Sequence, residues 1–177
     1  MGFLAHRLEK IRKDSDFFTW FHLEETGPAR EEGERKILEF KPSGEAFRDL
    51  VSINVVTNGE GRIQEMHLAL ARSFIDDATN GIFARDIAKS LLRAAVPREN
   101  QPDIEDLTNE IEFLFSSGRA VITAQQDLPK LPDQPSVGYQ VFLGREKLYE
   151  QVFSRCVVRL ENASDILKLS LVNRGSK

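Results

Sequence analysis

Three polar side chains near the middle of the chain are of the types used in acid–base chemistry or ligand binding: His67, Arg72 and Asp76. A histidine near a charged partner can act as a general base, because an unperturbed imidazole titrates close to neutral pH. If the strand end near His67 opens into a cleft, we expect these three residues to supply its polar groups. The competing interpretation, which we favour, places His67 on the outer, solvated face of a strand, opposite in orientation to Met66 and Leu68.

Two carboxylate clusters could hold a hard cation through oxygen ligands: Asp14-x-Asp16 and Asp76-Asp77-x-x-Asn80. Both clusters stand next to expected helix ends. Carboxylates at a helix start accept hydrogen bonds from free backbone N–H groups and favour the helix dipole, so we interpret Asp76 and Asp77 as capping residues. The three histidines lie in separate elements and lack zinc-motif spacing. We therefore expect no metal site.

The motifs of common cofactor-binding and hydrolytic sites are absent from the sequence. Gly59-x-Gly61 lacks the third glycine of a dinucleotide-binding motif and falls in an expected hairpin turn. Neither a P-loop nor a Gly-x-Ser-x-Gly sequence occurs. The single cysteine, Cys156, shares the spacing of apolar residues, and a thiol buried among apolar groups is unreactive. We expect no cofactor and no catalytic residue, and we favour a non-enzymatic role over an enzymatic one.

The composition is that of a globular protein. The 177 residues are 41% hydrophobic and 29% charged, and no apolar run approaches the roughly 20 residues of a membrane-spanning helix. We expect a single α+β domain over residues 1–177, with the proline-rich stretch 125–136 as the candidate for a subdivision. A lone cysteine fits the cytoplasm, and a net charge of -4 argues against nucleic-acid binding. We expect no membrane contact.

The strongest structural signal lies between Asp49 and Pro97. Two runs alternate apolar and polar residues with the period of half-buried strands, and Asn58-Gly59-Glu60-Gly61 between them tolerates the positive φ of a hairpin turn. After Arg72 the apolar period changes to that of a helix. The apolar positions are Val51, Ile53 and Val55, then Met66, Leu68 and Leu70, and then Ala84, Ile87, Ala88, Leu91, Leu92 and Ala95.

Further elements flank this central unit. Apolar spacing predicts helices over residues 3–13 and 103–114, strands at 36–41 and 120–122, and further strands between 139 and 171. Residues 24–34 have the composition of an exposed loop. Together these elements predict an α+β fold: an antiparallel β-sheet with two central amphipathic helices packed on one face and an N-terminal helix.

An aromatic segment, residues 17–23, is too apolar for a surface loop. It either continues the preceding helix or forms a strand, and as a strand it would carry aromatic side chains on both faces. Something besides the main core would then have to cover one of them. We therefore expect an exposed apolar surface at Phe17, Trp20 and Phe21 to contact a partner.

The order of helix, three strands, helix and further strands, with an acidic net charge and modest size, resembles that of type III secretion chaperones. The resemblance implies binding of a client protein. We expect a non-enzymatic cytoplasmic protein-binding or chaperone-like domain that acts as a homodimer. The alternative is a small-molecule-binding domain or an enzyme with a pocket between sheet and helices, where His67, Arg72 and Asp76 supply the polar groups.

Overall fold

An antiparallel β-sheet of nine strands is the frame of the described part of the chain. The computed structural model describes residues 8–14, 16–95, 138–143, 146–152, 156–162 and 166–173. The strands are β1 (Leu23–Glu25), β2 (Arg30–Glu32), β3 (Arg35–Pro42), β4 (Val51–Thr57), β5 (Ile63–Ala71), β6 (Gly138–Leu143), β7 (Glu146–Val152), β8 (Cys156–Asn162) and β9 (Ile166–Asn173). The helices are α1 (Leu8–Asp14), α2 (Phe17–Trp20), α3 (Glu45–Arg48), α4 (Arg72–Asp76) and α5 (Asn80–Ala95). The predicted α+β fold with an antiparallel sheet is confirmed.

The strand β5 lies at the centre of the sheet. The strand order is β1-β3-β4-β5-β9-β8-β7-β6, and β2 also pairs with β3. The predicted hairpin places β4 on one side of β5, with Ile53 opposite Leu68. On the other side β9 arrives from the C-terminal region and places Leu169 opposite the same Leu68. Because successive residues of a strand face opposite sides, this register puts the alternate apolar residues of three strands on one face.

That face, called the core face below, is covered by helices. The apolar side of α5 joins the strand residues in one buried cluster, as do Leu8 of α1 and the first two residues of α2. The main members contributed by the sheet and by α5 are Phe40, Val51, Ile53, Val55, Met66, Leu68, Leu70, Ala84, Ile87, Ala88, Leu91, Leu92, Leu167, Leu169 and Leu171. The alternation in β4, β5 and β9 and the helical stripe of α5 are thus the patterns that build this core.

The turn between β4 and β5 is longer than a two-residue hairpin turn. The side-chain oxygen of Asn58 accepts hydrogen bonds from the backbone N–H groups of Glu60 and Arg62, both at 3.0 Å. The positive φ of 76° falls on Gly61, and the register shifts between Val56 and Thr57. Asn58 therefore organises the turn with its side chain, while glycine supplies the left-handed backbone three residues later.

The start of α5 requires a glycine. A Cβ atom at Gly81 would lie 2.5 Å from the carbonyl oxygen of Ile75 in α4, closer than real Cβ atoms approach. The two helices can come this close only because Gly81 has no side chain. The contact fixes the angle at which α5 leaves α4 and crosses the core face.

Several expectations are refined by the structure. The aromatic segment is helical over Phe17–Trp20 and extended from Leu23 onward. The stretch 24–34, predicted as a loop, contains β2 and most of β1, so that prediction is wrong in part; both strands have only three residues and lie against β3. The first part of the predicted helix 3–13 precedes the described residues.

The remaining expectations about the fold fall on residues outside the described ranges. They concern the second central helix over 103–114, the strand near 120–122 and the proline-rich stretch 125–136. The packing of two helices on one face and the extent of the single domain stay predictions. In the C-terminal half, Val152 ends β7 while Cys156 begins β8, so the apolar spacing shared by these residues spans two strands.

Two substitutions within β9 test its place in the core. Leu169→Ala removes a side chain that is 1% exposed, and Ile166→Ala trims one that is 47% exposed. We expect Leu169→Ala to lower the free energy of unfolding by about 2–5 kcal/mol, since it leaves a cavity in the core. For Ile166→Ala we expect a loss of about 1 kcal/mol or less. Urea denaturation followed by circular dichroism measures both, and equal losses would contradict the register of β9.

Candidate functional site

Two concave surfaces lie on the two sides of the sheet. The sheet-face cavity has a volume of about 540 Å³ and is lined by alternate residues of β3, β4, β5 and β9, including Glu39, Asn54 and His67, that point away from the core face. The aromatic groove is smaller, about 160 Å³, and lies among α2, α3, α4 and α5 on the core side, where Val51 reaches it. The first surface is rich in charges and the second is apolar.

Glu65 and His67, which line the sheet-face cavity, form a polar cluster with the buried Ser170. The Nδ1 atom of His67 lies 2.8 Å from the hydroxyl oxygen of Ser170, and its Nε2 atom lies 3.5 Å from a carboxylate oxygen of Glu65. With a proton on Nε2, the imidazole donates toward Glu65 and accepts from the Ser170 hydroxyl. The order serine, histidine, carboxylate is that of a hydrolytic triad.

The surroundings of Ser170 do not support nucleophilic catalysis. Ser170 is only 4% exposed, so a substrate carbonyl has no access to its hydroxyl. Its strand β9 and the neighbouring β5 are both paired on two sides, which commits their backbone N–H groups to the sheet. An oxyanion needs free donors at the nucleophile. The Ser170 hydroxyl and the Glu65 carboxylate instead hold the ring of His67 in one orientation.

A second acidic side chain, Glu39, is engaged at both of its oxygens. One oxygen accepts a hydrogen bond from the hydroxyl of Thr26 at 2.9 Å and the other from the hydroxyl of Ser52 at 3.2 Å. Because Thr26 follows β1, this bond ties the segment that leaves β1 to the outer face of the sheet. Glu39 thus builds one wall of the sheet-face cavity.

The guanidinium of Arg35 forms the other charged contact of the cavity floor. It pairs with the second oxygen of Glu65, which is therefore engaged at both oxygens as well. The Nε atom of Arg35 is buried without an acceptor. A chain of polar contacts therefore runs from Arg35, at the start of β3, to Glu65 of β5 and on to His67, two residues further along β5.

Of the polar residues expected to act together, His67 lies apart from the other two. It lines the sheet-face cavity on the side of β5 that Met66 and Leu68 do not use. Arg72 and Asp76 pair with each other at 3.9 Å along α4, and neither lines this cavity. The partners of His67 are Glu65 and Ser170, so the histidine is held by groups that share its own sheet face.

The carboxylates of Asp76 and Asp77 have different partners. One oxygen of Asp77 accepts hydrogen bonds from the backbone N–H groups of Thr79 and Asn80, at 2.9 and 2.8 Å. Asp76 ends α4 and faces Arg72. Asp77 therefore caps the start of α5. Within the described ranges, no three His, Cys, Asp or Glu side chains are arranged to hold a metal ion.

The aromatic segment is split between core and surface. Phe17 is 5% exposed and packs edge-on against Phe18, whose ring lies 5.0 Å from that of Phe40. Trp20, at the end of α2, is 75% exposed. Phe21 lies between these extremes and packs against the core. Of the three residues expected to form an exposed apolar surface, Trp20 is exposed. The expectation is wrong for Phe17, which is buried because it anchors α2 to the core.

His22 turns the chain outward next to Trp20. Its φ is 50°, in the left-handed region, and it is the non-glycine residue that adopts such a φ in the described part of the chain. Its N–H donates to the carbonyl of Thr19, and its carbonyl accepts from the N–H of Ser43. This backbone conformation ends α2 and turns the chain into β1, which begins at the next residue. Trp20, the last residue of α2, therefore lies at the rim of the aromatic groove.

Aromatic side chains from three other elements complete the aromatic groove. Phe47 of α3 lies 5.4 Å from Phe74 of α4 and 6.0 Å from Phe83 of α5, measured between ring centroids. Phe74 is buried, whereas Phe83 is 51% exposed. The sequence offered no periodic signal that joins Phe47, Phe83 and Trp20, because they come from separate elements.

Comparisons with protein-family models, with curated proteins and with solved structures gave no match for this chain. Within the described residues, no helix is both long and apolar enough to cross a membrane. The geometry of the two surfaces therefore carries the functional argument.

A substitution pair tests whether the residue 76–77 cluster caps a helix or binds a cation. Asp77→Ala removes the two capping hydrogen bonds, and we expect it to lower the free energy of unfolding by about 1 kcal/mol. Asp77→Asn keeps a side-chain oxygen and should cost less than half as much. Thermal denaturation with and without millimolar Mg²⁺ measures both effects. A clear rise of the melting temperature with Mg²⁺ that Asp77→Ala abolishes would contradict capping as its sole role.

Proposed function

We propose that this chain is a non-enzymatic, cytoplasmic protein-binding domain, chaperone-like in holding apolar groups of another protein, and that it acts as a homodimer. The observation that carries the proposal is the exposure of Trp20 beside the aromatic groove. Trp20, with three quarters of its surface in water, and the half-exposed Phe83 line the same apolar groove and form a contiguous apolar patch, which is typical of a protein-binding surface. Tryptophan is also enriched among the residues that dominate protein–protein binding energy.

The aromatic groove provides the complement of such a side chain. A volume of about 160 Å³ is close to the roughly 150 Å³ of an apolar protein cavity that holds benzene, so the groove accepts one large apolar side chain. Phe47, Phe74 and Phe83 offer ring faces and edges, which favour an aromatic or aliphatic guest. Few polar atoms line the groove, which suits a protein side chain better than a charged metabolite.

The position of Trp20 at the rim of its own groove supports the proposed homodimer. In a two-fold dimer the same patch faces itself, so a projecting side chain and a receiving groove on one patch can engage twice. Trp20 of each copy then enters the aromatic groove of the other. Phe83, half exposed on the same rim, extends the apolar contact.

The oligomeric state tests this proposal directly. We expect size-exclusion chromatography with light scattering to give twice the 20.1 kDa chain mass for the wild type. Trp20→Ala, alone or with Phe83→Ala, should shift the protein to monomer, since losing a central tryptophan costs an interface about 2 kcal/mol or more. Both side chains are largely exposed, so circular dichroism should show the fold retained.

Ile166→Ala is the matched control, because it also removes an exposed apolar side chain but lies on β9 away from the groove. It should leave the dimer intact. A wild type that is monomeric at all concentrations contradicts the homodimer. A dimer that Trp20→Ala and Ile166→Ala leave equally intact contradicts the aromatic groove as its interface.

A further inference from the structure

We infer that the sheet-face cavity is a second binding site, separate from the protein-binding function proposed above, and that it takes a small organic oxyanion: a compact apolar molecule carrying a carboxylate or phosphate group. The cavity lies on the sheet face opposite α5, so its occupant does not compete with the aromatic groove.

The acidic groups of the cavity are already occupied by the protein. Both oxygens of Glu39 accept hydrogen bonds from hydroxyl groups, and both oxygens of Glu65 face cationic or imidazole nitrogen. The cationic side chains of the lining, Arg30, Arg35 and Lys168, also outnumber these two carboxylates, so the net charge of the lining is positive. The site therefore does not suit a metal ion or an amine.

What remains available is a set of donors. The Lys168 and Asn54 side chains line the cavity, and Lys168 is exposed. Arg30, on the strand β2 that borders the cavity, pairs with the exposed Glu32 at 3.2 Å. An exposed pair of this kind is weak, so Arg30 can turn to a ligand at little cost.

The placement of Lys168 is fixed by the sheet. It is the register partner of Ala69, next along β9 to Ser170, which holds His67. On β8 its register partner is Glu161. Lys168 is exposed, and a cross-strand ion pair at an exposed site is weak, so an anion can compete for its ammonium group. Lys168 of β9 and Arg30 of β2 therefore lie at opposite ends of the cavity, with Asn54 and His67 between them. The two cationic side chains are thus separated along the length of the cavity.

The size and the apolar part of the lining narrow the ligand class. A volume of about 540 Å³ is within the range of about 300–1,000 Å³ of small-molecule sites. Pro28, Ile37 and Val56 add apolar surface beside the charged groups. A ligand whose apolar part packs against these residues and whose anionic group faces Lys168 contacts both parts of the lining. Inorganic anions alone would leave the apolar part unused.

Two anions and one neutral analogue test the site: benzoate, phenyl phosphate and benzamide. In ¹H–¹⁵N NMR titrations of the full chain, we expect at least one anion to shift the amides of β3, β4, β5 and β9 that border the cavity. Benzamide has the shape of benzoate without its charge, and it should bind there about tenfold more weakly or not at all. Shifts confined to Phe47 and Phe83 report the aromatic groove and count against the cavity.

Charge-removing variants assign the anionic head. Lys168→Gln should weaken binding of the anion by about tenfold. Lys13→Gln removes the same charge from an exposed site on α1, which packs on the core face, and should leave the affinity unchanged. The ratio of phenyl phosphate to benzoate affinity states which oxyanion the site prefers.

Three results would overturn the inference: no cavity shifts with either anion, equal binding of benzamide and benzoate, or equal effects of the two lysine variants. Trp20→Ala distinguishes this inference from the proposed function. That variant should bind the anions with wild-type affinity even where it has lost the dimer.

Discussion

The register between β5 and β9 determines both faces of the sheet. With Leu68 opposite Leu169, the even-numbered residues of β5 and the odd-numbered residues of β9 complete the core. The same register necessarily sets Ser170 beside His67 on the other face. Since side chains alternate with a period of two, a slip of one residue would expose three leucines and dismantle the polar cluster together. The apolar burial that stabilises the sheet therefore also holds the groups of the sheet-face cavity in place.

The local spacing of apolar residues was sufficient to predict those strands and helices whose pattern is continuous in the sequence. The alternation of β4 and β5 and the apolar stripe of α5 identified a hairpin followed by a helix, and the turn chemistry of Asn58 joined the two strands. The cavity could not be found in this way. Glu65, His67 and Ser170 meet because β9 pairs with β5, and no local spacing encodes which distant strand becomes a neighbour. The grouping of His67 with Arg72 and Asp76 relied on closeness in sequence, whereas α4 turns those two residues away from the sheet face.

The aromatic segment illustrates a different limit. Its composition led us to expect an exposed surface at Phe17, Trp20 and Phe21, whereas Phe17 is buried and Phe21 packs against the core. The choice is made by backbone geometry: α2 lasts one turn, and the left-handed conformation of His22 ends it, so Phe17 points into the core and Trp20 does not. A short helix with an abrupt end thus separates the buried ring of Phe17 from the exposed ring of Trp20 within four residues. The two surfaces of the protein differ accordingly, one apolar and built by helices, the other charged and built by strands.

The position of β9 has a consequence for how the chain is made. A ribosome completes β5 long before it reaches β9, and until residues 166–173 emerge, one edge of β5 has no partner on that side. An uncovered edge of an apolar strand readily pairs with other chains. Contacts between residues so far apart in sequence also form slowly. Until β9 is made, β5 is thus open to pairing with other chains, and any chain stopped short of β9 lacks a strand from the interior of its sheet.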